Sequence, residues 1–350
     1  MCLSSPAGFF AWTSPPHRGI MERMCFCLHP AGGFLNPKGA CIMERVAAVV
    51  VTYNRKELLA QCIKALLGQQ NAVCDILIVD NASTDGTGAY LAALNEPRVH
   101  SRSTGANLGG AGGFNFGMRW AVEAGYDLVW IMDDDTLPHP DSLAQLLAAH
   151  TILGGNYGFL SSAVLWTDGT ECKMNRQKIK KNFYEHVELL RHGLILVEQA
   201  TFVSLLFPAA AIEKAGLPIR DFFIWGDDIE YTRRMTVRLG LPCYLAGQSQ
   251  VTHAMKENNG SSIALDSPER ISRYRYAFRN ENYTYRHEGV RGVCYYIAKC
   301  GLNLCRIWAK APGQRLRRSW IILSRMVSGL WFNPKVEQVH RPEAAVDSAE

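Results

Sequence analysis

The chain has 350 residues, of which 48% are hydrophobic, so it is long enough for one large or two moderate domains with a sizeable core. The 37 Lys and Arg against 32 Asp and Glu leave a net charge of +5, which is too mild to indicate a polycationic nucleic-acid binder. The 11 cysteines are scattered and lack zinc-ligand spacing, which favours reduced thiols in the cytosol over a disulfide framework. No run of 18 apolar residues occurs, so we predict no transmembrane helix.

The ends of the chain differ in composition from its middle. Residues 1–42 mix Pro, Gly, Cys and Ser without periodicity and lack the apolar stretch of a signal peptide. We predict that they are a disordered leader, or that the start was assigned too far upstream. We expect a globular domain over residues 43–262, a basic helical region over residues 263–336 and a disordered tail over residues 337–350.

Strands and helices alternate through the first half of the domain. We predict strands at 46–53, Asp75–Asp80, Val99–Ser103 and 128–132, and helices at 55–70, 88–94 and 114–124. This alternation predicts an α/β fold with a parallel, doubly wound sheet. Ligands gather at the carboxyl ends of the strands in such sheets, and Tyr53, Asp80 and Asp133 fall at those ends.

The second half of the chain is less regular. We predict strands at 158–166 and 200–209, a short helix at 211–215, a loop that becomes helical within 221–240, a last strand ending at His253, and helices within 269–330. Residues 289–336 contain nine Lys or Arg and no acid, with tryptophans interleaved. Two interpretations stay open: this region contacts an anionic membrane, or it packs as basic helices against the domain.

An apolar run leads directly into Asp133, Asp134 and Asp135. If the strand continues through them, Asp133 and Asp135 share one face, and Asp134 points away for local hydrogen bonding or solvent. Two carboxylates on one face can bind Mg²⁺ or Mn²⁺. A helix-capping role for all three is redundant, because Pro140 or Asp141 already fills the start of the next helix.

A second acidic cluster, WGDDIEY, occupies residues 225–231. Acids at a helix N-terminus complement the helix dipole, but this does not explain the preceding Trp225 and Gly226. The functional interpretation is a general base beside a sugar hydroxyl.

Two further features have both a structural and a functional interpretation. His253 at its strand end is either an ordinary structural histidine or a ligand of the same metal. The segment NLGGAGGF (107–114) is followed by no lysine, so it is not a P-loop, but its glycines allow close approach of a nucleotide or sugar.

Taken in order, these motifs resemble a family 2 glycosyltransferase of the GT-A fold. The matching stretches are VVVTYNR (49–55), VDNASTDGT (79–87), NLGGAGGF (107–114), WIMDDD (130–135), GLP (216–218), FFIWGDDIEYTRR (222–234) and His253. The combination is most similar to the galactofuranosyltransferase-like branch, with rhamnosyltransferases as neighbours, and YAFRN (276–280) resembles a segment that follows the domain in relatives. The resemblance implies a Rossmann-like, mostly parallel twisted sheet flanked by helices, with a C-terminal helical extension.

The resemblance also implies roles for particular residues. The nucleotide-sugar would contact Thr52, Arg55, Asp80, Asn107, Gly109, Gly110, Asp133 and Asp134. The metal, Mn²⁺ or Mg²⁺, would be held by Asp133, Asp135 and His253, and Trp225 would stack on the acceptor sugar. Asp228 would be the base, although Asp227 stands where relatives more usually have Glu and is the alternative.

The implied reaction is an inverting, metal-dependent sugar transfer to a hydroxyl of a lipid-linked or cell-surface glycan, at the cytoplasmic face of the membrane. UDP-galactofuranose is the preferred donor, and dTDP-rhamnose is the alternative. Two other classes stay open. One is a sugar nucleotidyltransferase, although TYNRKE lacks the GxGTR-like loop of those enzymes, and the other is a non-catalytic subunit that binds a sugar nucleotide.

Overall fold

The computed structural model of the protein describes residues 34–35, 41–42 and 44–342. It divides into two compact units, Met1–Met43 and Glu44–Glu350. In the first unit, β1 (Phe34–Leu35) pairs antiparallel with β2 (Cys41–Ile42). The prediction of a leader over residues 1–42 otherwise lies outside the described residues, as does the tail from residue 343 onward.

The second unit contains one sheet and its flanking helices. Its strands are β3 (Val46–Thr52), β4 (Asp75–Asp80), β5 (Val99–Ser103), β6 (Leu128–Asp133), β7 (Thr136–Pro138), β8 (Leu160–Trp166), β9 (Lys178–Ile179), β10 (Leu194–Gln199), β11 (Leu205–Pro208) and β12 (Tyr244–His253). Its α-helices are α1 (Lys56–Leu67), α2 (Thr87–Ala93), α3 (Gly109–Glu123), α4 (Ser142–Leu153), α5 (Ala209–Ala215), α6 (Asp227–Arg233), α7 (Pro268–Ile271), α8 (Tyr274–Arg286), α9 (Val290–Lys310) and α10 (Arg315–Ser328). Short 3₁₀ segments cover Lys173–Asn175, Phe183–His192 and Arg220–Phe222, and a π turn covers Arg234–Arg238.

The sheet is mixed, with the strand order β5-β4-β3-β6-β11-β8-β12-β10-β9 and β7 paired to β12. The strands from β5 to β6 run parallel, as the alternation of strands and helices predicts. Beyond β6 the direction changes, because β11 is antiparallel to both β6 and β8. The carboxyl ends of β3, β4 and β6 therefore meet at one edge, where the acidic residues were expected.

Both faces of the central strands are buried, which explains their continuous apolar runs. In β3, Ala47 and Val49 contribute to the core layer under α3, whereas Ala48 and Val50 contribute to the layer under α1 and α4. A third core lies among α8, α9 and α10 and includes Phe278, so the predicted C-terminal helical extension is confirmed.

The glycine-rich segment differs from the expected loop, because α3 begins at Gly109 and includes the glycines. The helix lies so close to the sheet that larger residues do not fit. A Cβ on Gly113 would lie 2.4 Å from Val51 Cγ1, and one on Gly117 would lie 2.4 Å from Val49 Cγ1. These two glycines therefore serve the packing of α3 on β3.

Strands β7, β9 and β10 were not predicted, and the strand expected at 200–209 begins only at Leu205. The segment from residue 337, which was expected to be a disordered tail, contacts the rest of the protein over its described part. Glu337 forms an ion pair with Arg119 at 2.7 Å, and Val339 is buried in the main core. Among the described residues, no helix combines the length and apolar character that spanning a membrane requires.

Candidate active site

The acidic triplet spans the end of β6 and the turn into β7, rather than continuing as a strand. Asp134 is buried and accepts a hydrogen bond from Thr52 Oγ1 at 2.7 Å. The Arg55 guanidinium, at the start of α1, contacts Asp134 Oδ1 at 3.1 Å and Asp135 Oδ2 at 2.8 Å. The expectation that Asp133 and Asp135 share one face of a continuing strand is therefore wrong, because the strand ends at Asp133. Asp134 and Asp135 share one cation.

His253 is brought to the triplet by the antiparallel pairing of β12 with β7, in which it lies opposite Thr136. Its Nε2 lies 3.0 Å from Asp135 Oδ1. Its Nδ1 lies 2.8 Å from Asn175 Oδ1, which can only accept, so Nδ1 carries a proton. Asp135 thus lies between two cationic groups, Arg55 and His253, when the imidazole is doubly protonated.

Burial and neighbouring charges give the groups of the triplet different pKa values. Burial and the charge of Asp135 raise the pKa of Asp133 to about 8, and burial raises the pKa of Asp134 to about 6. Burial also acts to raise the pKa of Asp135, but the hydrogen bond and charge of His253, with Arg55, hold it below its ordinary value. Burial acts to lower the pKa of His253, yet the Asp135 hydrogen bond raises it to about 10.

The side chains expected to hold a metal have suitable donor chemistry. Carboxylate oxygens and an imidazole nitrogen are ligands that Mn²⁺ accepts, and Asn175 fixes the His253 ring so that Nε2 faces Asp135. Among the described residues, no group of three or more His, Cys, Asp or Glu side chains is arranged so that it could hold a metal ion. Both Asp135 oxygens instead contact Arg55 and His253. The metal assignment stays a prediction.

The residues expected to contact the nucleotide line the loops after β3 and β4, which are linked to each other. Asn54 Oδ1 accepts a hydrogen bond from the Thr84 amide at 2.7 Å. Asp80 is buried, and its Oδ1 accepts from the Ser83 amide at 2.9 Å. These hydrogen bonds fix the loops after β3 and β4, and the bond to Ser83 uses only one of the two Asp80 carboxylate oxygens.

The three glycine-loop residues singled out from the sequence have different surroundings. Asn107 is exposed, and its Oδ1 accepts a hydrogen bond from the Gly109 amide at 2.9 Å. A Cβ on Gly109, where φ is +71°, would lie 2.0 Å from the Phe223 carbonyl oxygen. A Cβ on Gly110 would meet nothing within 4 Å. Gly109 therefore permits a close contact with Phe223, which precedes the second acidic cluster, and Gly110 faces open space.

The backbone before the second acidic cluster is strained. Phe223 and Trp225 have φ of +64° and +62°, a region that non-glycine residues rarely occupy. Helix α8 holds this loop, because the buried Asn280 donates from Nδ2 to the carbonyls of Phe222 at 3.0 Å and Trp225 at 2.7 Å. Arg279 donates to the Asp221 carbonyl at 2.8 Å. The YAFRN segment thus fixes the entry to α6.

Asp227 and Asp228 open α6, where the helix dipole favours a negative charge. Asp228 Oδ1 accepts a hydrogen bond from the Ile229 amide at 2.7 Å. Burial raises the pKa of Asp228 to about 6, so it is mostly ionised at neutral pH. Burial together with the charges of Asp228 and Asp133 raises the pKa of Asp227 well above its ordinary value. Asp133 and Asp227 are therefore close enough to interact electrostatically.

Trp225 packs against the C-terminal helices. Its ring meets Tyr274 edge-on at 4.9 Å between centroids, and the Arg270 guanidinium lies 5.9 Å from its centroid. The side chain is partly buried in this cluster, so its acceptor-stacking role stays a prediction.

Two asparagines of the site were not identified from the sequence. Asn175 orients His253, and Asn280 holds the WGDD loop. Asn175 has no surrounding motif. Asn280 lies in YAFRN, so a signal existed there, but the sequence did not show which loop it contacts.

The mixed, mostly parallel sheet flanked by helices has the arrangement of the GT-A fold. Residues 47–162 match the family described as Glycosyl transferase family 2, and this match supports a glycosyltransferase. The chain is similar to "Galactofuranosyltransferase GlfT1" of Mycolicibacterium smegmatis, with 29% identity over 71% of this chain and 85% of that protein. It is 26% identical to the protein of the same name from Mycobacterium tuberculosis strain H37Rv, over 86% of this chain and 96% of that protein.

Other similarities are shorter or structural. "Undecaprenyl-phosphate mannosyltransferase" of Micrococcus luteus is 41% identical over 30% of this chain and 44% of that protein. The solved structure of GalNAc-T7 with UDP, GalNAc and Mn²⁺ aligns with a TM-score of 0.57 and 12% identity, over 81% of this chain and 54% of that chain. This structural likeness confirms the predicted GT-A fold.

Proposed function

We propose that the protein transfers galactofuranose from UDP-galactofuranose to a hydroxyl of a lipid-linked or cell-surface glycan, with inversion at the anomeric carbon. One observation carries the reaction type: Asp228 is held at the first turn of α6 with a pKa of about 6, next to Asp227, whose pKa the charge of Asp133 helps to raise. The choice of donor is supported by the two mycobacterial galactofuranosyltransferases, which the chain matches over most of their length.

Asp228 acts as the general base in this proposal. Its carboxylate accepts the proton of the acceptor hydroxyl as that oxygen attacks the anomeric carbon, and the bond from that carbon to the diphosphate breaks. The single displacement from the opposite face inverts the anomeric centre and releases UDP. Asp227 is the alternative base, and burial together with the charge of Asp228 raises its pKa well above the ordinary value.

Asp133, Asp135 and His253 are proposed to hold Mn²⁺ or Mg²⁺. A bound divalent ion would neutralise negative charge on the leaving diphosphate. Asn175 supports this role, because it orients the ring that presents Nε2 toward Asp135. The Arg55 side chain is half exposed, so it can leave the carboxylates and contact an anionic nucleotide.

The donor is proposed to lie over the carboxyl ends of β3, β4 and β6. Asp80 contacts the base of the nucleotide in this arrangement, and Asn107 and Gly110 border the sugar. Gly110 supports this placement because the space beside it is open. Thr52 and Asp134 act indirectly, since their mutual hydrogen bond fixes the carboxylates beside Arg55. Trp225 is proposed to contact the acceptor sugar. The reaction is proposed to take place at the cytoplasmic face of the membrane.

The test is to incubate the purified chain with UDP-galactofuranose or dTDP-rhamnose, Mn²⁺ and a lipid-linked glycan acceptor, and to measure released nucleotide and extended acceptor. The proposal predicts UDP release that requires acceptor and is abolished by EDTA. Turnover with dTDP-rhamnose alone would identify a rhamnosyltransferase. Formation of UDP-sugar from UTP and sugar phosphate would indicate a nucleotidyltransferase, and donor binding without turnover would indicate a non-catalytic subunit.

A further inference from the structure

Helices α9 and α10 each have a second set of apolar side chains that is exposed in the described structure. One face of each helix is buried in the C-terminal core, through Tyr296 and Ile307 in α9 and Ile322 in α10. More than half of the exposed large apolar side chains of the described residues lie between Val290 and Trp331. A helix that is apolar on both sides requires a second apolar environment.

The exposed apolar side chains follow the helical repeat. In α9 they include Val290, Ile297 and Trp308, and in α10 they are Leu316, Trp320, Leu323 and Val327. Spacings of 7 and 11 residues in α9, and of three and four residues in α10, place each set on one stripe of its helix. Leu330 and Trp331 extend the second stripe past the end of α10. We name these two sets together the α9–α10 stripe.

The charges around the α9–α10 stripe are of one sign. Arg291, Arg306, Lys310, Arg315 and Arg317 are exposed on the same two helices, and residues 289–336 contain no acid. A second copy of the chain seated on the stripe would bring two sets of like charges together. An anionic lipid surface would instead attract them while accepting the apolar side chains.

We propose that the α9–α10 stripe is a docking surface for an anionic phospholipid bilayer. The two helices lie in the plane of the membrane interface, with leucine, isoleucine and valine side chains entering the acyl region. Trp308, Trp320 and Trp331 lie at the level of the headgroups, where their amphipathic rings are favoured. Lys299 and Arg318 are not part of this surface, because they contact the Glu281 carboxylate and the Ile263 carbonyl within the protein.

The experiment is flotation of the purified full chain with vesicles of phosphatidylcholine alone or mixed with phosphatidylglycerol. We expect at least tenfold stronger binding to the mixed vesicles, and weaker binding as salt is raised. The double variant Leu316→Glu/Trp320→Glu should reduce binding at least tenfold. Tyr184→Glu is the matched control, because Tyr184 is 68% exposed outside the stripe, compared with 77% for Leu316 and 69% for Trp320. It should bind as the unmodified chain does.

A second double variant, Arg315→Gln/Arg317→Gln, changes exposed charges only and is expected to lower binding to the mixed vesicles severalfold. Melting followed by circular dichroism checks that each variant is folded. Equal flotation of the stripe variants and the unmodified chain would overturn the proposal, as would failure of the unmodified chain to bind. A dimer in sedimentation that Leu316→Glu/Trp320→Glu dissociates would assign the stripe to a second copy instead. No donor or acceptor is present, so the result is independent of the proposed function.

Discussion

Asp134 and Asp135, which follow β6, are buried, and of the carboxylates that open α6, Asp227 is buried and Asp228 is partly buried. The neighbours of the two pairs differ. Asp134 and Asp135 contact the guanidinium of Arg55, and Asp135 also contacts His253. Asp228 contacts a backbone amide at the start of its helix. Cations beside the first pair hold the Asp135 carboxylate ionised, whereas burial raises the pKa of Asp228 to about 6. The first cluster is therefore suited to binding cationic groups, and the second to accepting and releasing a proton.

The largest expected effect is that of Asp228→Asn. The amide cannot accept the acceptor's proton, so we expect kcat to fall by about 10²–10⁴-fold. The measurement is UDP release with saturating donor and acceptor. Asp227→Asn is the matched control, because it makes the same change at the neighbouring carboxyl, which is not the proposed base, so its effect on kcat should be smaller. A larger loss for Asp227→Asn would exchange the roles of the two acids.

The pH dependence of turnover should report the same carboxylate. The pKa of Asp228 is raised to about 6, and only its ionised form accepts a proton. The rate should therefore be level above that pH and fall about tenfold per pH unit well below it. A pH–rate profile from pH 5 to pH 8 checks this. A rate that keeps falling as the pH rises from 6 to 8 would contradict an acidic base.

The hydrogen bonds from Asn280 to the loop before Asp227 predict a smaller effect, which is confined to the second acidic cluster. Asn280→Ala removes the hydrogen bonds to the Phe222 and Trp225 carbonyls, so we expect kcat to fall about tenfold while the donor affinity is unchanged. Asn282→Ala is the matched control on the same helix, because Asn282 donates to the Met326 carbonyl instead. Equal kcat losses in the two variants would show that general destabilisation of α8, rather than loop position, is responsible.

The adjacent glycines Gly109 and Gly110 should respond differently to substitution by alanine. A Cβ on Gly109 would collide with the Phe223 carbonyl, so Gly109→Ala should destabilise the fold by about 1–3 kcal/mol and lower kcat severalfold. Gly110→Ala meets nothing, so the melting temperature should stay within about 1 °C, while donor KM rises if Gly110 borders the sugar. Thermal melting and donor titration measure both, and equal melting temperatures would contradict the close contact at Gly109.

Local patterns predicted the parallel half of the sheet well. The strands Asp75–Asp80 and Val99–Ser103 agree with expectation, because β4 is a continuous apolar run and turn residues delimit both strands. The helical start of α3 was missed, since four glycines within residues 109–113 indicate a loop unless the packing of Val51 is known. Strand β10 was missed, and its pairing with β12 joins residues distant in sequence.

Within the candidate site, motifs identified which acids lie near strand and helix ends, but not their partners. His253 meets Asn175 across 78 residues of sequence, and Asn280 meets Trp225 across 55. Such contacts depend on tertiary packing, which no local pattern encodes. The end of β6 at Asp133 likewise depends on β12, because Ala254 donates to the Asp135 carbonyl at 2.8 Å in the turn that follows.

The most direct test of the two-cluster account is calorimetric titration of UDP in the presence of Mn²⁺ into the Asp135→Asn, Asp134→Asn and Asp228→Asn variants. The account predicts that Asp135→Asn weakens UDP binding at least tenfold and that Asp134→Asn, which can still accept from Thr52, weakens it less. Asp228→Asn should bind UDP as the unmodified chain does. Weakened binding in Asp228→Asn with full binding in Asp135→Asn would contradict the division of roles.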